Sequence, residues 1–118
     1  MPTCAVAHNN LGVAYAKLNR FEEAKEHFAQ AVRWSPKNLP AYHSLIDILV
    51  DQDKLEEAIS ICRRALRFTP DDALLHCKLG TVLGIQGKRT EALKEIHVAA
   101  RLDPNAPEIR EVLERVSP

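Results

Sequence analysis

Pro36, Pro70 and Pro104 stand 34 residues apart in this chain. The same interval separates Ala24, Ala58 and Ala92, then Ala31, Ala65 and Ala99, and Leu11, Leu45 and Leu79. A fixed interval of that size marks a solenoid, whose units contact only their neighbours and must stack to bury their apolar faces. Arrays of this kind build extended surfaces, so the period predicts a chain that binds proteins or peptides.

A single unit reads as a helical hairpin. In 5–18, Val6, Leu11, Ala14, Tyr15 and Leu18 recur at steps of three and four, the spacing of an amphipathic helix. Asn19, Asp53 and Gly87 follow at equivalent places. All three residue types tolerate the left-handed backbone that ends a helix and turns the chain. A second helix is expected at 21–34, with Ala24, Phe28, Ala31 and Val32 on its apolar side. The small alanines let the two axes approach and Phe28 fills the space between them.

Each unit closes with a proline, so Ser35, Thr69 and Asp103 mark helix ends. Asn38 and Asp72 are placed to cap the next helix, and Pro107 suits a first helical turn. The expected helices are 5–18, 21–34, 39–52, 55–68, 73–86 and 89–102, in repeats of 5–38, 39–72 and 73–106. A seventh at 107–117 carries Ile109, Leu113 and Val116 on one face and should cap the last repeat. The whole chain, 1–118, reads as a single all-α domain.

Composition sets limits on function. Lys+Arg and Asp+Glu are both 16, a formal net charge of zero, so no global field favours nucleic acid or an acidic membrane. No apolar run approaches the roughly 20 residues that span a bilayer. No signal peptide is evident at the start of the chain. Cys4, Cys62 and Cys77 lack paired spacing. An odd number of cysteines argues for a reducing compartment, with a cytoplasmic location as the expectation.

The residues resemble the tetratricopeptide repeat family, a 34-residue helix–turn–helix unit. Leu11, Gly12, Tyr15, Ala24, Phe28, Ala31 and Pro36 match its pattern in the first repeat, with His8 in place of its Trp. Tyr42, Leu45, Ala58, Ala65 and Pro70 match in the second, where Ile46 replaces the Gly and Cys62 the Phe. Leu79, Gly80, Ala92, Ala99 and Pro104 match in the third, where His76, Leu83 and Ile96 substitute. The resemblance implies a right-handed α-solenoid whose first helices line a concave groove. By register that surface holds Val6, Asn9, Asn10, Val13 and Lys17, then His43, Ser44, Asp47 and Asp51. Leu74, Cys77, Lys78, Thr81 and Ile85 follow, with Glu108, Glu111 and Arg115 on the last helix. The contacts expected for a bound segment are Asn9, Val13, His43, Asp47, Lys78 and Thr81.

Two specialised grooves of the family can be tested by position. A clamp for a C-terminal carboxylate, as the resemblance implies it, would place Lys and Asn on the first repeat, Asn on the second, and Lys and Arg on the third. Those places hold Asn9, Val13, Ser44, Leu74 and Lys78; one cation remains, so the clamp is not expected. An asparagine ladder would need partners for Asn10, but Ser44 and Lys78 hold those places. His43, Asp47 and Cys77 form the one constellation with chemical potential, as ligands or as a Cys–His pair. Structural zinc takes four ligands and a nucleophile needs an oxyanion pocket, which a continuous helix face does not provide. No metal, cofactor or catalytic role is therefore expected. Buried packing is the reading for Cys62, Trp34 and the half-buried His8 and His76, while His27 and His97 fall on outer helices. Arg63, Arg64 and Arg67 form a basic cluster read as a solvated face. The alternative to peptide binding is self-assembly through the N-terminal repeat end, where Ala7, Ala14 and Leu18 would face outward.

Overall fold

The computed structural model describes the backbone of residues 2–116 and the side chains of 5–115. The described residues are all-helical: α1 (Pro2–Lys17), α2 (Phe21–Trp34), α3 (Leu39–Asp51), α4 (Leu55–Phe68), α5 (Ala73–Ile85), α6 (Arg89–Leu102) and α7 (Pro107–Val116). The bounds expected at 21–34, 55–68 and 89–102 and the start at 107 are those observed, whereas α1 begins at Pro2 rather than residue 5, and α1, α3 and α5 each stop one residue early. The reason is local. Asn19 and Asp53 sit at φ 60° and Gly87 at φ 83°. The following amides of Arg20, Lys54 and Lys88 reach back to the carbonyls of Tyr15, Leu49 and Leu83 at 2.9, 2.8 and 2.9 Å. That six-to-one bond closes each first helix in the same left-handed cap and consumes the preceding residue in the turn.

The second kind of boundary also behaves chemically. Asn38 accepts from the Ala41 amide at 3.3 Å, and Asp72 from the Leu75 amide at 2.8 Å, so both cap the helix that follows. The Ser35 and Asp103 amides close α2 and α6 on the carbonyls of Ala31 and Ala99. Pro107 opens α7, where its missing N–H costs no hydrogen bond.

The chain divides into two compact units, Met1–Lys54 and Leu55–Pro118. In the first, α2 packs against both α1 and α3. Phe28 is 1% exposed there, and a Cβ added to Gly12 would come within 2.7 Å of its ring. Glycine at position 12 is what lets α1 and α2 approach. In the second unit α5 packs against α6 and α4, and α7 covers α6 and part of α5. Gly80 plays the same part against Ile96, whose Cγ1 would lie 2.6 Å from an added Cβ. Cys77, Ala99 and Ile109 form a core cluster beneath α7, flanked by Val112. Leu113 is half-buried, and the Val116 and Cys4 side chains lie outside the described residues.

Two sequence expectations about burial need correction. Leu11 on α1 is 44% exposed, although its spacing is that of a core face. Val6 at 61% and Leu18 at 66%, just past the helix, are exposed as their groove and outward placements expect. Leu45 and Leu79, the counterparts of Leu11, are buried, on helices that pack against a preceding second helix. Periodicity identified the stripe, and only a neighbouring helix decides whether it is covered. Trp34, expected to pack, is 54% exposed because it closes α2 beyond the last buried position, Val32.

Candidate functional site

The first-helix faces are built from one-turn steps. On α1, Asn9 is half-buried and Val13, four residues on, is exposed. The Asn9 Oδ1 is shielded from solvent and accepts no hydrogen bond among the described residues. A buried carbonyl oxygen without a donor costs free energy on the order of 1–3 kcal/mol, so an incoming N–H or O–H would be gained at full value. On α3, His43 is half-buried and Asp47 exposed, again one turn apart, and both already engage other groups.

In the second unit, α5 offers Lys78, half-buried, and Thr81, exposed. The Thr81 hydroxyl donates to the Cys77 carbonyl at 2.9 Å. Its proton is therefore committed to its own helix, and what it presents outward is an acceptor. Cys77 itself, placed by register on the groove surface, is instead 4% exposed in the cluster beneath α7. Burial pushes its thiol up from the ordinary value, opposed by the Thr81 hydroxyl. A thiol held protonated is a poor nucleophile and a poor metal ligand. Of the constellation His43, Asp47 and Cys77, the last is therefore not presented at a surface.

The packing histidines have definite partners. His76 Nδ1 lies 2.8 Å from the Glu95 carboxylate and its Nε2 2.8 Å from the Pro70 carbonyl, tying α5 to α6 and to the loop before it. His8 and His27 stack with centroids 5.2 Å apart and share one hydrogen bond of 3.0 Å between their Nδ1 atoms. Tyr15 stacks on the other side of His27 at 5.4 Å, and the Arg20 guanidinium covers Tyr15 at 5.1 Å. This column was not legible in the sequence, where His8 and His27 are 19 residues apart. Cys62 is fully buried at 0% exposure, and neither it nor Cys77 is joined in a disulfide.

Helical hairpins at a 34-residue interval, closed by matching left-handed caps, agree with the comparison to known families. The family model described as Tetratricopeptide repeat matches residues 15–79. This chain belongs to the tetratricopeptide repeat family. Among curated relatives, it is 32% identical over 99 residues to the TPR repeat-containing thioredoxin TDX of Arabidopsis thaliana, covering 84% of this chain and 26% of that protein. It thus spans about a quarter of that relative's length. Among solved structures, the first TPR domain of Spaghetti (RPAP3) bound to the HSP90 peptide SRMEEVD superposes with a TM-score of 0.88 at 20% identity, covering 98% of this chain and 92% of that one. The second TPR domain of human RPAP3, in complex with the HSP70 peptide SGPTIEEVD, gives a TM-score of 0.87 at 20% identity, with coverage of 98% of each chain. At these identities the likeness establishes the all-helical repeat fold.

Proposed function

We propose that this chain is a protein-interaction module that takes a peptide or helix on its first-helix faces. Asn9, Val13, His43, Asp47, Lys78 and Thr81 are its contacts, and repeats 5–38, 39–72 and 73–106 act as one binding domain. The observation that carries the reading is the Asn9 Oδ1, buried without a donor one turn from the exposed Val13. A peptide backbone supplies both things such a place lacks, an N–H and an apolar side chain. Two domains of the same fold are described in complex with HSP90 and HSP70 peptides, which supports peptide binding as the kind of activity. In the carboxylate-clamp positions this chain keeps Lys78 but has Val13 and Leu74, so a different peptide chemistry is expected here. The reading includes no catalytic step, no cofactor and no nucleic acid. It favours a reducing, cytoplasmic setting, supported by the thiols of Cys62 and Cys77, and no described helix is long and apolar enough to cross a membrane.

Selection of random peptides on the purified chain tests this, with Asp47→Lys/Lys78→Glu as the counter-selected control. A consensus peptide lost in the control supports the site. Lys78→Glu alone should weaken that peptide by about 1–3 kcal/mol if its contact is desolvated. Absence of enrichment sinks the reading. The exposed Leu11 and Leu18 favour a second one, self-assembly through α1. A mass in solution that stays monomeric at every concentration removes it.

A further inference from the structure

The second helices carry a repeated cation in their last turn: Arg33 on α2, Arg67 on α4 and Arg101 on α6. A positive charge there complements the helix dipole, so these three have a structural reason. Arg63 and Arg64 have none of that kind. The equivalent positions are Ala29 and Gln30 on α2, and His97 and Val98 on α6. Three guanidinium groups therefore share one face of α4 within a single turn, and like charges at three- and four-residue steps destabilise a helix. Among the described residues none of the three forms a salt bridge, unlike Arg20 and Arg115, which pair with Glu23 and Glu111. They are also exposed, and together with Glu56, Ile59 and Ser60 they line an open cleft of about 460 Å³. Ile59, 6% exposed, gives that cleft an apolar lining.

From this we propose that the exposed face of α4 is a second docking surface, distinct from the first-helix faces, and that its ligand is an acidic segment of a partner protein with alternating carboxylates. Unpaired local repulsion without an internal gain is where a sequence has been shaped for something outside itself. The guanidinium fork matches a carboxylate with two parallel hydrogen bonds. Spacing selects the pattern. Side chains one helical turn apart, as Arg63 and Arg67 are, stand roughly 5–6 Å apart at Cβ. Alternate side chains of an extended peptide stand about 6.6–6.8 Å apart on one edge. A Glu-x-Glu step therefore meets Arg63 and Arg67 with little rearrangement, and Arg64 takes a third carboxylate or the intervening backbone carbonyl. A nucleic acid is disfavoured because the cleft has no aromatic lining on which bases could stack and the chain carries no net positive charge.

The test is fluorescence anisotropy with a labelled Glu-Ser-Glu-Ser-Glu peptide, on the whole chain, at low and at physiological salt. The expected result is saturable binding that persists, weakened, at about 0.15 M salt. It should fall about tenfold or more in Arg63→Gln/Arg64→Gln. Arg33→Gln/Arg101→Gln removes the same net charge and should bind as the parent does. Arg63→Lys/Arg64→Lys, which keeps charge but not the fork, should lie between them. Equal loss in the two Gln variants would reduce the effect to net charge and overturn the proposal, as would no binding at physiological salt. Loss in Lys78→Glu with retention in Arg63→Gln/Arg64→Gln would assign the peptide to the first-helix face instead. Tighter binding of single-stranded oligouridine with the same arginine dependence would make the ligand a nucleic acid and equally overturn it. Because these side chains are exposed, circular dichroism of each variant should match the parent.

Discussion

At the end of α3, Gln52 is held at both ends of its amide: its carbonyl accepts from Lys25 at 2.7 Å and its nitrogen donates to Glu22 at 3.2 Å. Lys25 also meets Glu22 at 3.1 Å, which closes a three-residue polar clasp within the first unit. In the second unit the equivalent Gln86 donates to Glu56 at 2.6 Å, but its Oε1 is buried and accepts nothing among the described residues. The missing partner is explained by register. Ile59 stands where Lys25 would, and it is buried at 6% exposure. One unit spends that position on a cation and a complete network, and the other on apolar burial with an orphaned oxygen. Both satisfy the repeat, because burying an isoleucine and making a charged hydrogen bond are worth comparable amounts, on the order of 1.5–3 kcal/mol each.

The largest expected effect concerns the glycines that bring each hairpin together. In the first unit the three atoms nearest to a Cβ at Gly12 would all belong to the Phe28 ring, at 2.7–2.9 Å. In the second, a Cβ at Gly80 would meet Ile96 Cγ1 at 2.6 Å and the Ala92 carbonyl oxygen at 3.0 Å. A ring can tilt, whereas a helix carbonyl moves only with its helix. Both Gly→Ala changes should destabilise, by about 1–3 kcal/mol each, with Gly80→Ala the more costly. Denaturant unfolding of the whole chain measures both. Adding Phe28→Leu to Gly12→Ala should recover part of the loss, whereas Ile96→Val should rescue Gly80→Ala only weakly, since the carbonyl remains. Equal rescue in the two pairs would show the backbone contact to be unimportant. Gly84, whose added Cβ meets only Ala92 Cβ at 3.8 Å, is the internal control: alanine there should stabilise by about 0.5–1 kcal/mol through helix propensity.

How much of this was legible follows from where the information resides. The ends of α2, α4 and α6 were readable because a proline and its preceding residue mark them locally, and the caps at Asn38 and Asp72 act within three residues. The three left-handed turns were readable for the same reason: Asn19, Asp53 and Gly87 declare a backbone conformation by their chemistry. What failed depended on a second element. Leu11 has the same identity as Leu45 and Leu79, yet its exposure depends on whether another helix lies over it. Cys77 sits one turn before Thr81 on a face assigned to the groove, but α7 covers it. The Gln52 clasp joins side chains 27 and 30 residues apart, a distance at which sequence pattern gives no partner. For the candidate contacts, the helices and the one-turn spacing were legible, whereas the buried Asn9 Oδ1 and the committed Thr81 proton were not.

The clasp can be exchanged between units, with a smaller effect. Lys25→Ile removes the donor to Gln52 and leaves its carbonyl like that of Gln86; the loss is partly offset by apolar burial, for a net destabilisation of about 1 kcal/mol. Ile59→Lys brings an ammonium toward the Gln86 Oε1 and should cost no more than about 1 kcal/mol, since a new charged hydrogen bond offsets the lost burial. Thermal and denaturant unfolding read both. A cost for Ile59→Lys as large as that of Ile59→Ala would mean the ammonium fails to reach the amide, and the comparison would then rest on packing alone.

The smallest effect is a proton. The Glu22 carboxyl is held below its usual value of 4.5, first by the hydrogen bond from Lys25, then by that from Gln52, against a small opposing effect of burial. A carboxyl whose value is depressed in the fold contributes stability above its unfolded value, and that contribution is lost as pH falls through the folded value. The relevant window therefore lies at and below about pH 4.5, and nothing should change near neutrality. Glu22 is fully exposed, so the effect should be visible in its own titration rather than in the global melting temperature. Carboxyl-carbon NMR titration should place the Glu22 midpoint below 4.5 in the parent chain. In Lys25→Ile it should rise toward the ordinary value, with Gln52→Ala producing a smaller rise. A midpoint unmoved by Lys25→Ile would mean that Lys25 does not hold the carboxylate in solution, and the two units would then differ only in what they bury at positions 25 and 59.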